Sequence, residues 1–116
     1  MGRVYKVAEM LASAARSSSG DTKSTPIEVG IFQEANLTLD ITAASGTNPT
    51  LDVSIVTYDK ASGKWVTLYS FAQKTGAGTT PYNIAANLGY KIAVVWTIGG
   101  TETPSFTFSL GAVIKG

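Results

Sequence analysis

Strict alternation of apolar and polar residues is the feature that most narrows what this chain can fold into. Leu37, Leu39, Ile41 and Ala43 share one parity, while Asn36, Thr38, Asp40 and Thr42 hold the other. The pattern restarts with Leu51, Val53 and Ile55 against Asp52 and Ser54. It returns through Leu88, Tyr90, Ile92, Val94, Trp96 and Ile98, and again through Phe106, Phe108, Leu110, Ala112 and Ile114. A period of two sends successive side chains to opposite faces, so each run reads as a strand with one buried face. "KWVTLYSFAQKT" reads as a further strand, entered through the turn "DKASGK" at Asp59 to Lys64. "TPIEVGIF" and "TPYNI" read as short strands with Pro26 and Pro81 at their starts, where proline is tolerated.

Six to eight short strands separated by Gly/Pro/Ser turns imply an all-β fold, a two-layer antiparallel β-sandwich of jelly-roll type. Trp65, Trp96, Phe71, Phe106 and Phe108 are expected to fill the space between its sheets.

Two turns share a chemistry. "SGTNPTL" at Ser45 to Leu51 and "GGTETPSF" at Gly99 to Phe106 each run Gly-Thr, then a proline, a hydroxyl residue and a bulky apolar residue. The second copy carries one more residue between its threonine and its proline. Each lies between two alternating runs, so each is expected to close a hairpin. Leu39 would then face Val53 and Ile41 face Leu51, while Trp96 would face Phe106 and Val94 face Phe108. Glycine supplies the unusual dihedral and proline fixes the start of the return strand. Turn chemistry alone demands these residue types, so the repeat reads as structure before it reads as a ligand site.

The N-terminal segment is ambiguous. Val4, Val7, Leu11 and Ala15 fit helical spacing, whereas Met10, Ala12 and Ala14 fit alternation. The chain divides into an N-terminal arm or first strand at residues 1–20 and a β-sandwich domain at residues 21–116, one domain in all. Arg3, Lys6 and the Ala-Ser-Ala at Ala12 to Ala14 imitate a signal peptide, but the apolar stretch is short and Glu9 interrupts it, so export by signal peptide is not expected.

Composition excludes several chemistries. The 116 residues contain no cysteine and no histidine, which removes thiolate metal sites, disulfides and the usual general base near neutral pH. A formal charge of +1 without a basic block argues against nucleic-acid binding, and no apolar run approaches a membrane span. Charged residues are only 15% of the chain, and a surface carried by threonine and serine costs less to cover than a charged one.

Local motifs do not assemble a catalytic site. Gly76 and Gly78 in "KTGAGTTP" lack the Gly-Lys-Ser/Thr and the helix of a phosphate loop. Asn36-Leu37-Thr38 matches a glycosylation acceptor within a strand, and Asn48-Pro49-Thr50 is excluded by its proline. Ser62 and Ser105 have no base to activate them. The hairpin register would set Asp40 opposite Asp52, a like-charge pair answered by solvation, by a lysine or by a cation. Two carboxylates fall short of what calcium prefers. No catalytic, cofactor-binding or metal residue is assigned, and the protein is expected to be no enzyme.

Three stretches carry a family resemblance: "ITAASGTNPTLDVSIVTYD", "GKWVTLYSFAQKTGAG" and "LGYKIAVVWTIGGTETPSFTFSLGAVIK". With the opening "LASAARSSSGD", they resemble the small β-sandwich virion structural proteins of tailed bacteriophages, of the head decoration or auxiliary type. The resemblance covers the chain from about Leu11 to Lys115 and favours a strand for the N-terminal segment. Members often carry an arginine after the tyrosine of the penultimate strand, where this chain has Lys91. A contact built on a bidentate arginine would not transfer. The resemblance implies a virion protein assembled in the host cytoplasm, binding the major capsid protein or other virion proteins as a homo-oligomer, a trimer first, without nucleic acid or membrane. A neck or tail component is the alternative within that class. Outside it stands a carbohydrate-binding β-sandwich module, for which Tyr58, Tyr69 and Tyr82 would supply the aromatic contacts.

Overall fold

A computed structural model of the protein describes residues 5–30, 32–84 and 88–116. Seven strands follow in order: β1 (Tyr5–Arg16), β2 (Gly20–Asp21), β3 (Ile27–Glu28), β4 (Glu34–Asp59), β5 (Lys64–Ser70), β6 (Gly78–Ile84) and β7 (Lys91–Lys115). All pairings are antiparallel.

Two of these strands set the architecture. β4 has 26 residues and would reach about 86 Å if straight at ~3.3 Å per residue. The longest dimension of the molecule is 50 Å, so the strand bends. It pairs with β7 along nearly its whole length, from Glu34↔Lys115 to Thr57↔Ile92. The flanking strands divide this ribbon into two leaves. In the first, β1 pairs with the C-terminal half of β7, which pairs with the N-terminal half of β4, which pairs with β6. In the second, β2 and β3 pair with the N-terminal half of β7, which pairs with the C-terminal half of β4, which pairs with β5. This is an antiparallel β-sandwich: one long ribbon folded over, with further strands added along its margins.

The two Gly-Thr-Pro stretches sit where the ribbon folds, and the expected hairpins do not form. Both sides of each strand half are already taken, so Leu39 faces Leu110 instead of Val53, and Ile41 faces Phe108 instead of Leu51. Trp96 faces Val53, and Phe106 faces Ala44. The two copies face one another at Thr47↔Thr101. Their contact is reciprocal. A Cβ on Gly46 would lie 2.7 Å from Cα of Pro104, and one on Gly100 would lie 3.0 Å from Cα of Pro49. Both glycines have left-handed backbone, φ 102° and 122°. The Thr47 hydroxyl donates to Glu102 Oε2 at 2.7 Å, and the Thr101 hydroxyl donates to the Thr47 carbonyl at 3.3 Å. The sequence repeats because two paired strands bend at the same place. The extra residue of the second copy is taken up by an additional left-handed position: Asn48 alone in the first copy, Glu102 and Thr103 in the second.

The core lies between the leaves. Leu37, Leu39, Leu51, Ile55, Ile92, Val94, Phe106, Phe108, Leu110 and Ile114 are fully buried in one cluster. Trp96 of the second leaf meets Phe108 of the first edge-on, with ring centroids 6.1 Å apart. Trp65 departs from the expectation that it fills this core. It is only half-buried and faces outward, opposite Tyr58. The reason is a bulge at Leu68: Val56 faces Thr67, but Ile55 faces Tyr69. One extra residue on β5 therefore puts Trp65 and Tyr69 on opposite faces although their sequence parity is the same.

Residues 5–16 form a strand, not a helix or a free arm. A shift in register between Glu9 and Ala14 turns two consecutive residues, Met10 and Leu11, into the core, leaving Ala12 and Ala14 exposed. Arg16 folds back over this irregularity. Its guanidinium donates to the carbonyls of Ala12 (2.7 Å), Ala14 (3.1 Å) and Phe108 (2.9 Å). It also covers the Trp96 and Phe108 rings. Burial lowers its pKa from the ordinary arginine value. The side chain thus closes one end of the sandwich and satisfies backbone that the bulge unpairs.

Candidate functional site

The two aspartates that the hairpin register brought together are apart. Asp40 lies opposite Ser109 and Thr79 and accepts from the Thr79 hydroxyl at 2.9 Å. Asp52 lies opposite Thr97 and accepts from Gln73 Nε2 at 3.0 Å. Each carboxylate is answered by a neutral donor, so the like-charge clash that suggested a cation does not arise. Among the described residues, no cluster of three or more carboxylates is placed to hold a metal ion.

The other motifs are absorbed by the backbone. Ser62 donates to Asp59 Oδ2 at 2.7 Å within the β4–β5 turn, where the Ala61 amide also reaches Asp59. The Ser62 hydroxyl, ahead of the backbone contacts, holds the Asp59 carboxyl below the usual carboxylate range. Ser105 faces Ser45 in the ribbon. The glycine-rich "KTGAGTTP" leads into β6, a strand rather than a helix, and Pro81 stands in its middle opposite Thr38 instead of at its start. β6 is a margin strand, where a missing amide is tolerated. Asn36 is exposed on the outer face of the first leaf, beside a shallow groove of about 330 Å³ floored by Gly111 and walled by Val7, Glu9 and Thr38.

Aromatic side chains gather in two places. Tyr69 of β5 and Tyr82 of β6 stack in parallel across the margins of the two leaves. The second group lies on the outer face of the second leaf. Tyr58 and Trp65 are a cross-strand pair with an edge-on contact at 5.2 Å, and Tyr90 lies 6.4 Å from Tyr58. The Lys91 ammonium stands over all three rings, 4.6 Å from Tyr58, 5.5 Å from Tyr90 and 5.9 Å from Trp65. Lys60 stands over Tyr90 at 5.1 Å. Of this ledge, Tyr58 alone reads as a surface aromatic in the sequence: the bulge in β5 hides Trp65, and strand parity carried beyond the start of β7 hides Tyr90.

No protein-family model matches the chain, and no curated protein matches it. Solved structures do. The SPBc2 prophage-derived protein YomS is similar at a TM-score of 0.57 and 12% identity, over 100% of this chain and 96% of that one. The CBM22-1–GH10 modules of xylanase 10B from Clostridium thermocellum, solved with xylohexaose, are similar at a TM-score of 0.56 and 14% identity. That match covers 98% of this chain but 24% of the xylanase chain. At these identities the likeness is one of fold: this chain is a β-sandwich of a type found both in a prophage-derived protein and in a xylanase module.

Proposed function

We propose that the protein is a non-catalytic structural component of a tailed-phage particle, a decoration protein that binds the assembled head as an oligomer. The observation that carries the reading is the end-to-end correspondence in fold with a prophage-derived protein, over 100% of this chain and 96% of that one. The resemblance of the two Gly-Thr-Pro stretches and their flanking strands to virion β-sandwich proteins points the same way. So does a surface in which hydroxyl residues replace charges. Many equivalent copies on a shell would turn weak individual contacts into firm attachment.

The test is location. Particles of the phage encoding the chain are separated into heads and tails and probed with an antibody against this protein. Presence on heads, in a fixed ratio to the shell protein, is the expected result. Presence in tails alone would overturn decoration, and absence from particles would overturn the virion reading.

A carbohydrate-binding module is the second reading, favoured by the xylanase-module likeness and by the exposed Tyr58–Trp65–Tyr90 ledge. It predicts retardation of the protein in gels containing xylan or host-wall glycan, abolished by Trp65→Ala.

A further inference from the structure

The ledge carries more than aromatic surface. Lys60 and Lys91 share the ring of Tyr90, at 5.1 and 5.5 Å, and neither has an ion pair among the described residues. A third ammonium, that of Lys6, stands 5.8 Å from the Phe32 ring in the adjoining hollow of about 420 Å³, which Tyr90 also walls. The acidic neighbours are few. Glu28 faces Lys91 across β3 and lines the hollow, and Asp59 is held in its turn by Ser62 and Ala61. Among the described residues, three ammoniums therefore meet one carboxylate, that of Glu28, outside the Asp59 turn, in a chain whose whole formal charge is +1.

We infer that this ledge, Tyr58, Trp65 and Tyr90 with Lys60 and Lys91 laid across them, is the surface that docks the protein onto an acidic patch of the phage shell protein. The inference rests on the virion reading above and names the contact within it. Three features fix the occupant. Ring faces hold the ammoniums in place, so less side-chain entropy is lost when a carboxylate meets them. Tryptophan and tyrosine are among the residues that dominate the buried centres of protein interfaces. A sugar ring would have to displace Lys91 before stacking on the faces it covers, which weighs against glycan at this place. Nucleic acid fits poorly too, because a handful of lysines does not make the extended positive field that a polyanion requires.

The experiment uses heads of the encoding phage assembled without this protein and titrates purified full-length protein onto them. Lys60→Gln/Lys91→Gln should weaken binding about 10-fold or more at ~50 mM salt, with the gap to wild type closing at ~1 M salt. Trp65→Ala should weaken it by about 30-fold. Lys91→Arg, which keeps a cation over the rings, should retain most of the affinity. Lys74→Gln, at the corner end of the second leaf where Lys74 pairs with Leu51, should bind as wild type. Melting temperatures separate binding defects from folding defects. A double variant that binds heads as well as wild type overturns the docking surface and leaves the virion reading intact. Wild-type protein that binds no heads overturns both. Glycan binding abolished by Trp65→Ala and indifferent to the lysines would make the ledge a sugar platform and sink the inference.

Discussion

Tyr69 and Tyr82 lie ring on ring, 3.7 Å between centroids and 6° from parallel, although they belong to margin strands of opposite leaves. Phe71 meets Tyr69 edge-on at 5.1 Å behind them. The stack is a clasp on the open side of the sandwich, facing away from the side where Arg16 and Lys6 join β1 to the second leaf. We predict that Tyr82→Ala lowers stability by about 1–2 kcal/mol, and that a Tyr69/Tyr82 double-mutant cycle gives a coupling of about 0.5–1.5 kcal/mol. Urea unfolding of the four proteins measures it. Additive losses would show that the rings are neighbours without being partners.

The folded ribbon makes a sharper demand on single residues. Gly46→Ala and Gly100→Ala each force a methyl group against the other strand and hold a left-handed backbone, so each should cost about 2 kcal/mol or more. Thr103 is a β-branched residue at φ 58°, a conformation such residues adopt at a cost. Thr103→Asn should stabilise the protein by about 0.5–1 kcal/mol, because asparagine tolerates that region. Thermal unfolding checks both signs. A destabilised Thr103→Asn would mean that the threonine makes a contact outweighing its strain.

Arg16 is expected to be irreplaceable by lysine. Its fork reaches three carbonyls on two strands, whereas an ammonium is a point donor. Arg16→Met and Arg16→Lys should each lose about 1–2 kcal/mol in urea unfolding at neutral pH. A lysine variant with wild-type stability would reduce the role of Arg16 to its charge.

Asp59 offers a test in pH. Its folded pKa is lowered, so whatever it adds to stability is present above the ordinary carboxylate range and fades as pH falls through the folded value. Removing the leading cause with Ser62→Ala should raise the Asp59 pKa toward the ordinary value, as read by NMR titration of its carboxyl carbon. An unmoved titration would assign the shift to the backbone amides instead.

How far the sequence foretold the molecule depends on what alternation can encode. It assigned faces well: Leu37, Leu39, Leu51, Val53, Ile92 and Phe108 are all buried. It could not assign partners. Leu39 meets an apolar residue whether it faces Val53 or Leu110, so apolar matching alone left the local hairpin and the distant ribbon equally acceptable. The Gly-Thr-Pro chemistry was equally indifferent, since a tight turn and a bend shared by two strands call for the same left-handed glycine. Bulges were invisible. The extra residue at Leu68 moved Trp65 outward, and the irregularity between Glu9 and Ala14 made Met10 and Leu11 both core. The lysine-covered ledge depends on those hidden shifts, and for that reason only Tyr58 of it was legible in advance.

The folded-over ribbon also dictates an order of assembly. Thr57 and Ile92 are 35 positions apart in sequence (92 − 57), while Glu34 and Lys115 at the far end of the same ribbon are 81 apart (115 − 34). Closing the longer loop first costs about 0.7 kcal/mol more on the slowly growing logarithmic scale, so the strands should meet near Thr57 and Ile92 and zip away from there. The zipper then runs into the glycine corner before β4 and β7 can pair in the first leaf. Mutations at Ile55 or Val94 should therefore slow folding, whereas mutations at Leu37 or Ile114 should chiefly speed unfolding, a split that stopped-flow φ-values would read. On this account the corner is a kinetic gate as well as a bend, and its two glycines govern how quickly the molecule can become itself.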